Sequence, residues 1–223
     1  MGNSKSQLSV PAPKKIIYFG VKAAGLPATM CLEVAGIEYE AQKVAMEEWK
    51  DLKPTTPTGV LPIAEFADGT KLPESGAIQR ACAAAGGLLG TGKDYMISEM
   101  LMGLTADFSK KVMGNVPTIM TVGDWTAEKT AKFNDEIKDD VLAFLKKYDQ
   151  YLLGGDKFTE SGVTLGEIEL FCKLVMFKNA IPEVATGGLK PFFDRMAEVP
   201  GIKKTLAGES QFGELIDYIV AFP

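Results

Sequence analysis

The sequence predicts a mixed α/β unit of order βαβ-ββα followed by an all-α unit, and three observations carry that prediction. Strand-like runs, "KIIYFG" from Lys15, "IEYEAQKVA" from Ile37 and "PIAEF" from Pro62, are confined to the early part of the chain. A helical pattern, "LPATMCLEVAG", separates the first two. After "GGLLGTGKD" no strong strand signal follows, and apolar residues recur at three- and four-residue spacing.

Taken in order, "KIIYFG" reads as a buried strand and "LPATMCLEVAG" as a helix stopped at Gly36. A helix between two strands in so short a span implies a right-handed βαβ unit with parallel strands. An irregular polar segment is expected around Trp49. The turn "ADG" then joins "PIAEF" to "TKLP" as a hairpin, and "SGAIQRACAAA" forms a helix ending at Gly86 and Gly87. Pro62 gives no N–H to a sheet, so it must start its strand, lie at an edge or turn on a cis bond. Beyond Lys93, "DYMISEMLMGLTADFSKKVM" and "TAEKTAKFNDEIKDDVLAFLKKYDQYLL" read as long helices divided by "GNVPTIMTVGD". "GVTLGEIELFCKLVMFK", with Thr164 and Glu167 in capping-box positions, reads as the central buried helix. Shorter helices complete the chain. The expected domains are a tail at 1–13, an α/β domain at 14–87 and a helical domain at 93–223.

At 223 residues, with 46% hydrophobic and 24% charged residues, the chain can bury a full core. The formal charge of −5, without a basic stripe rich in aromatics, argues against nucleic acid as a partner. No histidine is present, which removes imidazole bases, Ser/His triads and histidine metal sites; no metal is expected. Cys31, Cys82 and Cys172 are far apart, odd in number and form no C-x-x-C pair, as suits a reducing compartment. No apolar run approaches the roughly 20 residues of a membrane span, and the N-terminus lacks a secretory core, so a cytoplasmic location is expected. "MGNSKS" matches the myristoylation pattern at Gly2. It reads equally as a plain disordered tail or as a tether for weak, reversible membrane association, aided by Lys5, Lys14 and Lys15.

Strand-one "YF", "GIEYE", Trp49 and Lys53, "TGVLPI", "ES", "ADF" at 106–108 and "GVTLGEIEL" fall in an order and spacing that resemble the glutathione transferases along nearly the whole chain. The likeness is to the sigma-like group that includes the haematopoietic prostaglandin D synthases. The resemblance implies a thioredoxin-like N-terminal domain, a helical C-terminal domain, a homodimer, and glutathione as co-substrate. It also implies site residues. Tyr18 matches the catalytic tyrosine, and Trp49 and Lys53 match residues near the glycyl end of glutathione. Leu61 precedes the family's cis-proline, here Pro62. Glu74 and Ser75 match the pair that holds the γ-glutamyl group, and Asp107 an acidic residue reaching that group from the partner subunit. The second-substrate pocket is expected near Val21, Val112, Met113 and the terminal "YIVAF".

The chemistry is consistent with those residue types. A thiol with a pKa near 8.5 is only a few per cent thiolate at pH 7. Lowering it by about two units needs roughly 2.7 kcal/mol, and one hydrogen bond to a charged group supplies about 1.5–3 kcal/mol. A tyrosine hydroxyl stays protonated and can donate that bond. At the other end of the tripeptide a carboxylate would meet Ser75 at a helix N-terminus. Considered singly, Tyr18 is also a plausible strand aromatic, Ser75 a helix cap and Asp107 a solvated charge. Relatives in the group carry an Arg-Gly-Arg-Ala-Glu run after strand one. Here "VKAAGLPA" puts Lys22 at the first arginine and Ala24 at the second, while Pro27 alters the helix entry. Two functions are consistent with this pattern: a transferase acting on small apolar electrophiles in detoxification, or a non-catalytic binding or scaffold relative.

Overall fold

The computed structural model describes residues 10–115 and 126–217. Along the chain these hold β1 (Lys15–Phe19), β2 (Val21–Lys22), α1 (Leu26–Ala35), β3 (Glu40–Val44), α2 (Met46–Leu52), β4 (Ile63–Glu65), β5 (Lys71–Leu72), α3 (Ser75–Ala85), α4 (Lys93–Asn115), α5 (Ala127–Leu145), α6 (Leu165–Phe177), α7 (Lys190–Ala197), α8 (Pro200–Leu206) and β6 (Ile216–Asp217). Two compact units result. One holds the chain to Gly20, residues 24–89 and residues 200–214; the other holds residues 21–23, 90–199 and the chain from Leu215.

The first unit is built on a sheet of order β3-β1-β4-β5. β1 runs parallel to β3, with Tyr18 opposite Lys43, and antiparallel to β4, with Ile17 opposite Ile63. The hairpin from β4 to β5 closes through Asp68 and Gly69, where Gly69 takes a φ of 86° and Asp68 Oδ1 accepts the Thr70 N–H at 2.9 Å. Alternation in β1 sends Ile17 and Phe19 to one face, where Ile17, Val44 and Ile63 form a buried cluster joined by Trp49, Leu52 and Leu61. α1 ends at Gly36 in the left-handed conformation, φ 66°, the stop that the sequence predicts.

Trp49 belongs to a helix, α2, and not to the irregular segment expected there. Glu48 accepts the Ala45 N–H at 3.1 Å, and the Thr55 and Thr56 hydroxyls bond the Leu52 and Lys53 carbonyls at 2.7 and 2.8 Å. With both ends satisfied, seven residues hold a helix that their weak periodicity does not announce.

The sequence divides the chain near Lys93 and places everything beyond in the helical part; in the structure, Pro200–Glu214 groups with the first unit. The cause is a close approach of α8 to α1. A β carbon on Gly201 would lie 2.4 Å from the backbone of Glu33, so glycine is needed there. The buried Glu33 carboxylate accepts from Lys204 Nζ at 3.0 Å, the Gln211 N–H at 2.8 Å and the Tyr39 hydroxyl at 3.3 Å.

In the second unit α4 packs against α6 and α5. α6 is capped as expected: the Glu167 carboxylate, fully buried, accepts the Thr164 N–H at 3.1 Å, and also the Phe158 N–H at 2.8 Å and the Thr159 hydroxyl at 2.6 Å. The expected long second helix ends at Leu145, and residues 146–151 continue as a tighter 3-10 turn. No strand was expected after Gly87, yet β6 pairs in parallel with β2, Val21 opposite Ile216. Two residues give no period to read, so only the pairing defines this strand.

Candidate active site

Tyr18 lies next to last in β1, 6% exposed, and alternation turns it away from the face that holds Ile17 and Phe19. Its ring rests on the N-terminus of α1. A β carbon on Gly25, the N-cap residue, would stand 2.4 Å from Tyr18 Cδ1, so the ring occupies space that only glycine leaves open. Pro27 in the first turn of α1 presets helical φ.

Phe19 joins Tyr18 to Trp49. Its ring centroid is 5.7 Å from that of Tyr18 and 5.6 Å, edge-on, from that of Trp49. Trp49 and Leu61 pack against the same apolar cluster. Lys53 is exposed at the start of the short turn after α2, and its Cε would lie 3.7 Å from a β carbon on Gly59, two residues before Leu61. The Leu61–Pro62 peptide is cis and enters β4 directly, as expected. Continuing the β1–β4 register by one residue sets Pro62 opposite Tyr18.

Glu74, and not Ser75, is the N-cap of α3. It adopts φ 72° and is the sole non-glycine with positive φ among the described residues; its side chain makes no capping bond. Such a conformation costs about 1–3 kcal/mol and tends to occur at ligand sites. Because the first intrahelical bonds run from the Ala77 and Ile78 N–H groups to the Glu74 carbonyl, the Ser75 and Gly76 N–H groups stand ahead of the ladder, open to an anion.

The remaining candidates belong to the other unit. Asp107 is exposed on α4. Val21 is half-buried in β2. Positions 112 and 113 lie in the last turn of α4, with side chains outside the described residues, as are Gly2 and the "YIVAF" segment. Lys22 is not free: its Nζ meets Asp217 Oδ1 at 2.8 Å, and Asn179 holds Asp217 Oδ2 at 2.7 Å.

Cys31, Cys82 and Cys172 are all buried and unpaired with one another. Burial pushes the Cys82 thiol up to about 12 and Cys172 well above its ordinary value, so neither is poised as a nucleophile. Among the described residues, no His, Cys, Asp or Glu cluster is placed to hold a metal, and no helix is long and apolar enough to cross a membrane. The sequence reading does not single out Gly25, and it gives Phe19 only as part of the strand-one "YF", without its contact to Trp49. The signal for Gly25 was present, a glycine immediately before a helix that starts Leu-Pro, whereas the Phe19 contact is recognisable only once the sheet is formed.

No family model matches the chain. Curated relatives do. Glutathione S-transferase 1 of Ascaris suum is 27% identical over 204 residues, 86% of this chain and 95% of that protein. A probable glutathione S-transferase 5 of Caenorhabditis elegans is 30% identical over 200 residues, 85% of this chain and 93% of its own length. Among solved structures, a sigma class enzyme of Fasciola hepatica superimposes with a TM-score of 0.74 at 25% identity, covering 88% of this chain and 96% of that one. The sheet with its flanking helices is the thioredoxin-like domain of this fold, and the helical unit is its C-terminal partner. The chain belongs to the glutathione S-transferase family, with sigma-like members among its relatives.

Proposed function

We propose that this protein conjugates the thiolate of glutathione to small apolar electrophiles. The carrying observation is Tyr18, buried at the end of β1 with its ring against the α1 N-terminus. There its hydroxyl donates to the glutathione sulfur, and the helix dipole adds to the preference for the anion. The thiolate then attacks the electrophilic carbon, a C–S bond forms, and the leaving group departs with its electron pair. With Ala24 in place of an arginine and Lys22 held by Asp217, activation rests on Tyr18.

The Leu61 backbone, beside cis-Pro62, pairs with the cysteinyl part of glutathione as an added strand would. Trp49 and Lys53 meet the glycyl end. The Ser75 N–H and hydroxyl take the γ-glutamyl carboxylate, while Glu74 and Asp107 of the partner subunit answer the ammonium. That role for Asp107 makes the active protein a homodimer. Val21 and α4 positions 112 and 113 border the electrophile. The protein acts in the cytoplasm in detoxification, and Gly2 carries a myristoyl anchor; an unchanged intact mass after co-expression with a myristoyltransferase removes the anchor.

The test is turnover of 1-chloro-2,4-dinitrobenzene with glutathione. Tyr18→Phe is expected to lower kcat/KM roughly 10- to 100-fold at neutral pH, the loss of one bond to a charged group, and to move the rise in rate to higher pH. Wild-type protein that binds glutathione but shows no turnover above background sinks the enzymatic reading.

A further inference from the structure

The C-terminal end of α5, the 3-10 turn that follows it and the stretch from Glu183 to Leu189, just before α7, border an open cavity of about 350 Å³ within the second unit. That volume falls in the range of small-molecule pockets, roughly 300–1,000 Å³. Leu142, Leu145, Val184 and Leu189 give it an apolar floor, the last three of them buried. None of the residues proposed to hold glutathione or the electrophile borders it.

Lys146 and Asp149 also line this cavity, and because both are exposed while the floor is buried, their charges stand at its mouth. Residues three apart on a helical turn are neighbours, and a Lys–Asp pair there can bond to itself. This one does not: among the described residues neither side chain makes an ion pair or a hydrogen bond. Asp149 lies against Gly188 instead, where a β carbon would stand 3.0 Å from Oδ1, so glycine leaves the carboxylate its place. Glu183, the third charged group on the wall, already has its charge answered by Lys138, whose hydrogen bond holds the carboxyl below the ordinary range. What remains is one cation and one anion, unpaired, above an apolar floor. A ligand with a single charge leaves one of them opposed or unanswered, whereas a zwitterion with an apolar side chain meets both.

We propose that this cavity binds a free α-amino acid with an aliphatic or aromatic side chain. Its ammonium donates to the Asp149 carboxylate, its carboxylate accepts from Lys146 Nζ, and its side chain rests on Leu142, Leu145, Val184 and Leu189. The site shares no residue with the transferase reading and stands or falls without it.

The test is ligand-observed NMR on the full chain in saturating glutathione, with L-leucine, 4-methylpentanoate, which lacks the ammonium, and 3-methylbutylamine, which lacks the carboxylate. The wild type is expected to bind leucine roughly ten-fold or more tightly than either. Asp149→Asn is expected to remove the advantage of leucine over 4-methylpentanoate, and Lys146→Met its advantage over 3-methylbutylamine. Both residues are exposed, so neither substitution disturbs the core. No binding of leucine, equal affinities for the three ligands in the wild type, or an advantage that survives both substitutions overturns the site.

Discussion

At the scale of single residues, Gly25 decides where Tyr18 can be. A methyl group there would stand 2.4 Å from the tyrosine ring, and the obstacle is a buried aromatic, not a flexible chain end. Gly25→Ala is therefore expected to cost about 1–3 kcal/mol by urea denaturation and to lower turnover with it, because the ring must leave its place. A Gly25→Ala protein of unchanged activity would show that the Tyr18 position does not matter. Asp94 supplies a pH dependence. Its carboxylate accepts the Ser161 and Glu160 N–H groups, each at 2.9 Å, and these bonds hold it below the ordinary carboxylate range. A depressed carboxyl stabilises the fold above its unfolded pKa, near 4, and the contribution is lost as pH falls through the folded value. Comparing urea midpoints at about pH 6 and about pH 3, Asp94→Asn is expected to show a smaller acid loss than the wild type. The thiols offer a simpler check. With all three cysteines buried, a thiol reagent should label none in the native protein and all after denaturation.

At the scale of elements, α6 is the best specified. Its capping box was legible because Thr164 and Glu167 lie three residues apart just before an apolar run. What the spacing did not reveal is that Glu167 also gathers the Phe158 and Thr159 donors from the preceding loop. Glu167→Ala leaves those groups buried without an acceptor and is expected to cost about 3–5 kcal/mol in denaturant, with Glu167→Gln costing less. α2 and β6 mark the opposite case. Seven residues with Met46, Trp49 and Leu52 three apart show too little period, and α2 exists because the Glu48 and threonine side chains close its ends. β6 exists because Val21 and Lys22 lie alongside it.

At the scale of the whole molecule, the proposed site draws on two copies of the chain. Asp107 is exposed on α4, and its proposed ligand contact is with the glutathione of the other subunit. Asp107→Asn is thus expected to raise the KM for glutathione several-fold with little change in kcat, and wild-type specific activity is expected to fall on dilution if the proposed dimer is the active form. A monomer of full activity by sedimentation would remove that role.

What the sequence by itself determined was every element with a local signal: β1, α1 with its Gly36 stop, β3, the β4–β5 hairpin, α3, the long helices α4 and α5, and the boxed helix α6. Period, cap and turn residues act within a few positions, so a linear reading recovers them, and their order was enough to suggest the family. Only the tertiary structure decided the rest. Gly201 admits α8 to the backbone of Glu33, Gly25 admits the Tyr18 ring, and Phe19 bridges Tyr18 to Trp49. It also set the Asp149 carboxylate against Gly188. These are consequences of close approach in three dimensions, and the sequence carries the glycines and charges that permit them without stating what they will meet.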